Sequence, residues 1–214
     1  MAIISEKDQK QLTNIFKSLS NDVKIVVFTQ EFECEHCKMT RGLLEEVAAL
    51  SEKITLEVHD FVKEADLAKK YGIDKIPATI LLGDRDYGIR FYGVPAGYEF
   101  TSLIEDIIDV NRQDAGLPKE VLNELSKIDK PVHIKVLISP TCPYCARAVR
   151  TAHRFAMSNE HIIADMVELS EFPHIAVKYN VQGVPKIVIN EEHSLVGSVP
   201  DIEFAQAVFK AIGK

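Results

Sequence analysis

The sequence predicts an α/β protein with two tandem units, each a mixed four-stranded sheet flanked by helices. Two observations predict the repeat. The four cysteines form two Cys-x-x-Cys pairs, Cys34-Glu35-His36-Cys37 and Cys142-Pro143-Tyr144-Cys145. A proline, Pro77 or Pro185, follows each pair at the same distance along the chain and directly precedes a predicted strand. We infer that one unit was duplicated and that each copy carries its own pair of thiols.

The length sets the domain organisation, because 214 residues are enough for two small domains. Segment 111–117 is polar, contains a glycine and precedes a predicted helix start at Pro118. We therefore expect the first unit to cover residues 1–115 and the second unit to cover residues 116–214.

Each unit is predicted to follow the order α-β-α-β-α-β-β-α from its hydrophobic periodicity and β-branched runs. In the first unit, the patterns predict helices over 6–19, 37–50 and 94–111, strands over 23–28, 54–61 and 78–82, and a last strand ending at Gly93. In the second unit, they predict helices from Pro118, over 145–157 and from Val199 to the end, strands over 132–138, 162–169 and 186–189, and a last strand ending at Gly197. Strands joined through helices favour parallel pairing, and the closing hairpin is antiparallel, so each sheet is mixed.

Composition excludes several classes of function. The formal net charge of −7 and the lack of a dense basic tract argue against binding to nucleic acid or to an anionic membrane. The start of the sequence lacks the pattern of a secretory signal, and no apolar run is long enough to span a bilayer. The expected location is cytoplasmic.

The spacing of the cysteines is suited to reversible thiol–disulfide chemistry. A disulfide across so few residues is a weak staple, worth about 2 kcal/mol by loop entropy. At the start of a helix, unpaired N–H groups and the helix dipole stabilise a thiolate. We expect Cys34 and Cys142 to be the exposed attacking thiols, and Cys37 and Cys145 to be the more buried resolving thiols.

The charged residues near the two pairs differ in sign. Acids surround Cys34 in the sequence and bases surround Cys142, so we hypothesise that Cys142 has the lower pKa and the more oxidising disulfide. The alternative is that these charges point into water and are screened. The residues concerned are Glu31, Glu33 and Glu35 in the first unit and Lys135, Arg147 and Arg150 in the second.

A Cys-x-x-Cys pair at a helix start, with a distant Ile-Pro or Val-Pro opening a strand, resembles the thioredoxin and glutaredoxin superfamily. The second pair is similar to that of glutaredoxins, and the His-containing first pair is similar to that of protein disulfide isomerases. The tandem layout resembles the two-unit protein disulfide oxidoreductases of thermophilic bacteria and archaea. Neither unit has an acid in the strand before its cysteines, where thioredoxins bury one, since Phe28 and Val136 stand there.

The resemblance implies that Pro77 and Pro185 are cis and face the cysteines. It also implies that the backbone of Ile76 and Val184 pairs with an extended substrate strand. The residues between the cysteines are expected to tune each pair; these are Glu35, His36, Pro143 and Tyr144.

The predicted function is a protein dithiol–disulfide oxidoreductase that forms, reduces or isomerises protein disulfides without a bound organic cofactor or metal. Its partners are expected to be proteins with thiols or disulfides and a flavoprotein similar to thioredoxin reductase. Two alternatives stay open: an electron carrier served by such a flavoprotein, and a non-catalytic module that binds peptides. A shared zinc site is disfavoured because zinc ribbons place their Cys pairs much closer together. The remaining histidines follow no ligand pattern and are expected to be structural or on the surface.

Overall fold

The computed structural model describes residues 2–213, and both units follow the predicted order of elements. The first unit contains α1 Glu6–Phe16, β1 Val23–Thr29, α2 Cys37–Ala48, β2 Ile54–Asp60, α3 Ala65–Lys70, β3 Ala78–Leu82, β4 Asp86–Tyr92 and α4 Tyr98–Arg112. The second unit contains α5 Lys119–Leu125, β5 Val132–Ile138, α6 Cys145–Ser158, β6 Ile162–Glu168, α7 Pro173–Lys178, β7 Lys186–Ile189, β8 His193–Val196 and α8 Asp201–Ala211.

The eight strands form one continuous sheet in the order β2-β1-β3-β4-β6-β5-β7-β8, rather than two separate sheets. Within each unit, the first two strands, which are joined through a helix, pair in parallel, and the closing hairpin is antiparallel, as predicted. The third strand also follows a helix but pairs antiparallel with the first, so parallel pairing holds only for the first two strands. The two halves meet where β4 pairs in parallel with β6. One edge strand of the first unit is thereby covered, which removes an exposed row of backbone donors and acceptors.

Several helix boundaries differ from the sequence prediction, among them the start of α4 and the end of α1. Helix α4 begins at Tyr98 rather than at Val94, because Gly97 adopts φ 61° and ψ −124°, which is not a helical conformation. Helix α1 ends at Phe16, and the chain then tightens into turns in which the N–H groups of Ser18 and Leu19 bond three residues back.

The hydrophobic core crosses the junction between the units. Phe91 and Leu103 of the first unit and Phe155 of the second belong to one cluster of fully buried side chains. Helices α4 and α6 pack against each other over this junction. The two units are therefore held together by a shared apolar core as well as by the sheet.

Arg150 on α6 makes the main ionic contact across the junction. Its guanidinium bonds to Glu105 Oε2 at 2.9 Å and also contacts the carboxylates of Asp106 and Asp109, all on α4. His153 Nδ1 lies 2.6 Å from the second oxygen of Asp106, and burial lowers the pKa of His153 to about 3, so the imidazole is neutral. Arg150 is thus the cation that contacts the buried carboxylate of Asp106, whereas Asp109 is also paired with Arg112.

Replacing Arg150 by Gln is expected to lower the free energy of unfolding by roughly 3 kcal/mol, because it leaves the buried carboxylate of Asp106 without its cation. Urea unfolding followed by circular dichroism measures this change. Arg147→Gln is the matched control, since Arg147 lies on the same helix but is exposed. Equal stability of the two variants would contradict the assigned role of Arg150.

Candidate active site

Each cysteine pair lies in a tight turn between a buried strand and a helix. β1 leads into the first pair and β5 into the second, and both pairs are closed as disulfides with Cα–Cα distances of 5.4 and 5.5 Å. The helices begin at the second cysteine of each pair, as the hydrophobic patterns predicted. Helices α2 and α6 begin at Cys37 and Cys145, so Cys34 and Cys142 precede the helix and the pair spans a β-turn.

Burial separates the cysteines within each pair in the expected order. Cys34 is partly exposed, whereas Cys37 is buried. Cys142 has 7% of its surface exposed to solvent, and Cys145 has none. The expectation that both first cysteines are exposed is therefore wrong for Cys142, which belongs to the core cluster.

The residue before α4 lies close to the loop that carries the second pair. A Cβ atom built on Gly97 would lie 3.4 Å from the carbonyl oxygen of Pro140, two residues before Cys142. The first unit therefore packs directly against the loop that carries the second pair.

Burial also raises the pKa of Glu99, in the first turn of α4, and only one of its carboxylate oxygens is hydrogen-bonded, to Ser102.

Both predicted prolines follow a cis peptide bond, Ile76–Pro77 and Val184–Pro185, as the family resemblance implied. The carbonyl oxygens of Pro77 and Pro185 accept hydrogen bonds from the N–H groups of Gly93 and Gly197, at 3.0 and 2.8 Å. Within residues 2–213, the backbone groups of Ile76 and Val184 have no hydrogen-bond partner in the protein. They are therefore free to bond to another extended chain.

The residues between the cysteines lie at the surface of each turn. Glu35 is exposed and His36 is partly buried, and the side chain of His36 makes no capping bond to α2. Pro143 is exposed, and Tyr144 is 68% exposed. Phe32, which sequence reasoning did not select, is 79% exposed just before the first pair, so each pair has an aromatic ring beside it in water.

The proposed positive environment of the second pair is not present. Lys135 contacts the carboxylate of Glu191, and Arg150 is paired with acids of α4. Arg147 is exposed, where solvent screens its charge. The electrostatic argument for a lower pKa at Cys142 therefore loses its structural basis, because the cations that supported it are neutralised or screened.

A carboxylate from the second unit lies near the first pair. Glu171 accepts a hydrogen bond of 2.7 Å from the N–H of Val94, next to the glycine that bonds to Pro77. Burial raises the pKa of Glu171, whereas the Val94 N–H and the charge of His36 act in the opposite direction. Sequence reasoning did not find this residue, because it lies far from the first pair along the chain.

Two of the histidines expected to be structural or on the surface have surroundings that matter for the site or the junction. His153 is fully buried in the junction between the units. His59 lines a cleft that also contains Cys34 and Cys37. The periodicity of β2 gives no sign that His59 lines this cleft, since its position depends on how β2 pairs with β1.

Within residues 2–213, no group of three or more His, Cys, Asp or Glu residues is arranged to hold a metal ion. The sulfur atoms are paired within each motif instead. No helix in the described part of the chain is both long and apolar enough to cross a membrane.

Comparison with known proteins identifies the same repeat. The family described as Thioredoxin matches residues 4–106, and the family described as Thioredoxin domain matches residues 132–210. These two regions lie on either side of the predicted boundary between the units.

Two solved structures are similar over nearly the whole chain. A protein disulfide oxidoreductase from Aeropyrum pernix K1 is 30% identical, with a TM-score of 0.90 and coverage of 98% of this chain and 94% of that one. The NTD_N/C domain of alkylhydroperoxide reductase AhpF from Enterococcus faecalis is also 30% identical, with a TM-score of 0.89 and coverage of 96% and 99%.

A longer relative matches in part. The NADH dehydrogenase of Bacillus subtilis is 24% identical over 190 residues, which are 89% of this chain but 35% of the relative. The chain thus spans about a third of the length of the curated relatives it matches first.

In the fully reduced protein, Cys34 is expected to be alkylated by iodoacetamide faster than Cys142, because Cys34 is partly exposed and Cys142 is buried. The rates are compared at the alkaline plateau, where every thiol is ionised and differences in pKa no longer matter. Peptide mass spectrometry over time measures each cysteine. Faster labelling of Cys142 would contradict the burial difference.

Proposed function

This chain belongs to the family of protein disulfide oxidoreductases with two tandem thioredoxin units, and on that basis we propose that it catalyses dithiol–disulfide exchange in protein substrates. One arrangement carries the proposal. In each unit, a disulfide between residues three apart lies at a strand-to-helix turn, and the cis-proline segment of the same unit carries a free backbone edge.

In the oxidising direction, a substrate thiolate attacks the sulfur of Cys34 or Cys142. A mixed disulfide forms, and Cys37 or Cys145 leaves as a thiolate. A second substrate thiolate then attacks the substrate sulfur of the mixed disulfide, which releases a disulfide-bonded substrate and leaves both cysteines of the pair reduced.

In the reducing direction, the thiolate of Cys34 or Cys142 attacks a substrate disulfide and expels one substrate thiolate. Cys37 or Cys145 then attacks its neighbour in the mixed disulfide, expels the second substrate thiolate and restores the pair as a disulfide. Isomerisation needs only the first attack, followed by reshuffling within the substrate. All of these steps use cysteine sulfur alone, so the proposal requires no bound cofactor or metal.

The backbone at the cis-prolines supports binding of extended protein segments. Ile76 and Val184 present unpaired N–H and C=O groups to a substrate strand, and Pro77 and Pro185 fix the direction of that edge. Recognition through the backbone is independent of side chains, which favours unfolded or flexible protein substrates.

A second role, as an electron carrier, is favoured by the matched relatives. One matched protein is named alkylhydroperoxide reductase and another NADH dehydrogenase, and the region that matches this chain is only part of the latter. We infer that a flavoprotein similar to thioredoxin reductase supplies electrons to one of the pairs. The open surface around the first pair fits contact with a large partner better than the covered second pair does.

The cysteine usage supports a cytoplasmic site of action. All four cysteines belong to the two short pairs, and none links distant parts of the chain. Disulfides in cytosolic proteins are usually catalytic or redox-sensing rather than structural.

Reduction of insulin by dithiothreitol tests the proposal. The parent protein is expected to accelerate insulin precipitation, and the Cys34→Ser/Cys142→Ser double variant is expected to lose this activity because both attacking sulfurs are absent. Each single variant should retain part of the activity. Full activity of the double variant would contradict the mechanism, and peptide binding with no catalysis in the parent would favour the binding-module alternative.

The same assay distinguishes the carrier role. If NADH and a flavoprotein disulfide reductase replace dithiothreitol, a carrier sustains insulin reduction, whereas a protein that only oxidises or isomerises substrates does not. Residual activity in Cys34→Ser or in Cys142→Ser then shows which pair receives the electrons.

A further inference from the structure

A cleft of about 440 Å³ opens beside the first pair on the side of β2. Cys34 and Cys37 form part of its wall, and His59 and Glu64 form another part. Cys37 is otherwise buried, so the cleft is a route by which its sulfur can exchange a proton with other groups.

His59 is held in place by contacts on both sides of its ring. Nδ1 lies 2.7 Å from Glu64 Oε2, and Nε2 lies 3.6 Å from Glu57 Oε2. The centroid of the His59 ring lies 5.4 Å from the centroid of the Phe28 ring on β1. The imidazole is thus fixed in orientation and only 19% exposed, whereas the carboxylates that hold it are much more open to solvent.

The strand that precedes the first pair provides no proton acceptor. Phe28 occupies the position in β1 where an acid could have served the resolving thiol, and His59 is the direct neighbour of Phe28 on β2. The titratable side chain of His59 therefore lies on the strand next to Phe28, and it lines the same cleft as Cys34 and Cys37.

The second unit has no equivalent group. Val136, which is as far from its cysteine pair as Phe28, has Met166 of β6 as its neighbour, and Leu137, which takes the place of Phe28 in the strand register, has Val167. Met166 and Val167 are both apolar and fully buried. Phe172, at the position that corresponds to Glu64, is buried as well. The histidine and its carboxylate are thus specific to the first pair.

We propose that His59, oriented by Glu64, accepts and returns the proton of the Cys37 thiol when the first pair closes and opens; this inference rests on the proposed function. When Cys37 attacks Cys34 in a mixed disulfide, His59 takes the thiol proton, the Cys34–Cys37 bond forms and the substrate sulfur leaves as a thiolate. The imidazolium then gives its proton to that thiolate or to water in the cleft. The reverse transfer protonates Cys37 when the pair is opened.

Several charged groups lie around His59, and each of them can affect how the closure rate of the first pair depends on pH. Glu64 and Glu57 contact it directly, and the hydrogen bond from His59 lowers the pKa of Glu64. The cleft wall adds Lys38 and Arg41 from α2, Glu31 from the preceding loop, Asp60 at the end of β2 and Lys63 after it. Lys24 is paired with Glu57 on the neighbouring strand.

Reaction of the reduced protein with the chromogenic disulfide 5,5′-dithiobis(2-nitrobenzoate) tests the proposal, because it separates two steps. The full-length chain carries Cys142→Ser and Cys145→Ser, so that only the first pair reports. Attack by Cys34 releases one coloured thiolate, and attack by Cys37 on the resulting mixed disulfide releases the second. Stopped-flow absorbance resolves these as successive phases.

In this background, His59→Gln is expected to leave the first phase unchanged and to slow the second phase by at least about tenfold at neutral pH. The difference should disappear at about pH 10, where an ordinary thiol ionises without help. Glu64→Gln should give a smaller change in the same direction. His193→Gln, on an exposed residue of the second unit, is the matched control and should change neither phase.

A second phase in His59→Gln that equals the parent's at neutral pH would overturn the inference, as would a slowing that persists at high pH and so reflects structure alone. The summed amplitude of both phases reports the fraction of folded, reactive protein. If His59→Gln fails to fold, Glu64→Gln decides the question, since Glu64 lies at the surface. A parent with no second phase would contradict the proposed function itself, which distinguishes the two failures.

Discussion

A disulfide can close between residues three apart only where the backbone turns tightly, and each cysteine pair lies in such a turn. The turn is fixed on one side by a buried strand, β1 or β5, and on the other by the first residue of α2 or α6. A mid-helical pair would hold its Cβ atoms about 5–6 Å apart, which is too far for an unstrained disulfide. The disulfide of each pair can therefore form and break within the turn, outside the sheet. Disulfide exchange with a substrate requires this.

The pairing of β4 with β6 makes the two sites unequal, although the units are repeats. The residue before α4 lies against Pro140 in the loop before Cys142, and Cys142 is more buried than Cys34. The first pair keeps an open cleft with a fixed histidine. A duplicated unit has thus acquired one accessible site and one enclosed site through packing, with no change in the order of elements.

The sequence was sufficient for features that depend on local pattern. The cysteine pairs, the two proline positions and strands such as Ala78–Leu82 and Val132–Ile138 were all predictable, because hydrophobic runs and rigid residues mark them. The partners of Arg150 and Lys135 were not, because ion pairs across elements depend on tertiary packing. The same holds for His59, whose position next to Phe28 follows from the register of β1 and β2. The charge argument for Cys142 failed for this reason: nearness in sequence did not correspond to nearness in space.

The central claim is that both pairs exchange disulfides with proteins through their first cysteine, and covalent trapping tests it most directly. The Cys37→Ser/Cys145→Ser variant, which lacks the resolving sulfurs, is reduced, mixed with insulin and analysed by mass spectrometry without reductant. We expect insulin chains disulfide-bonded to Cys34 and to Cys142, with more adduct at Cys34 because its surface is open. Absence of an adduct at both cysteines would contradict the account.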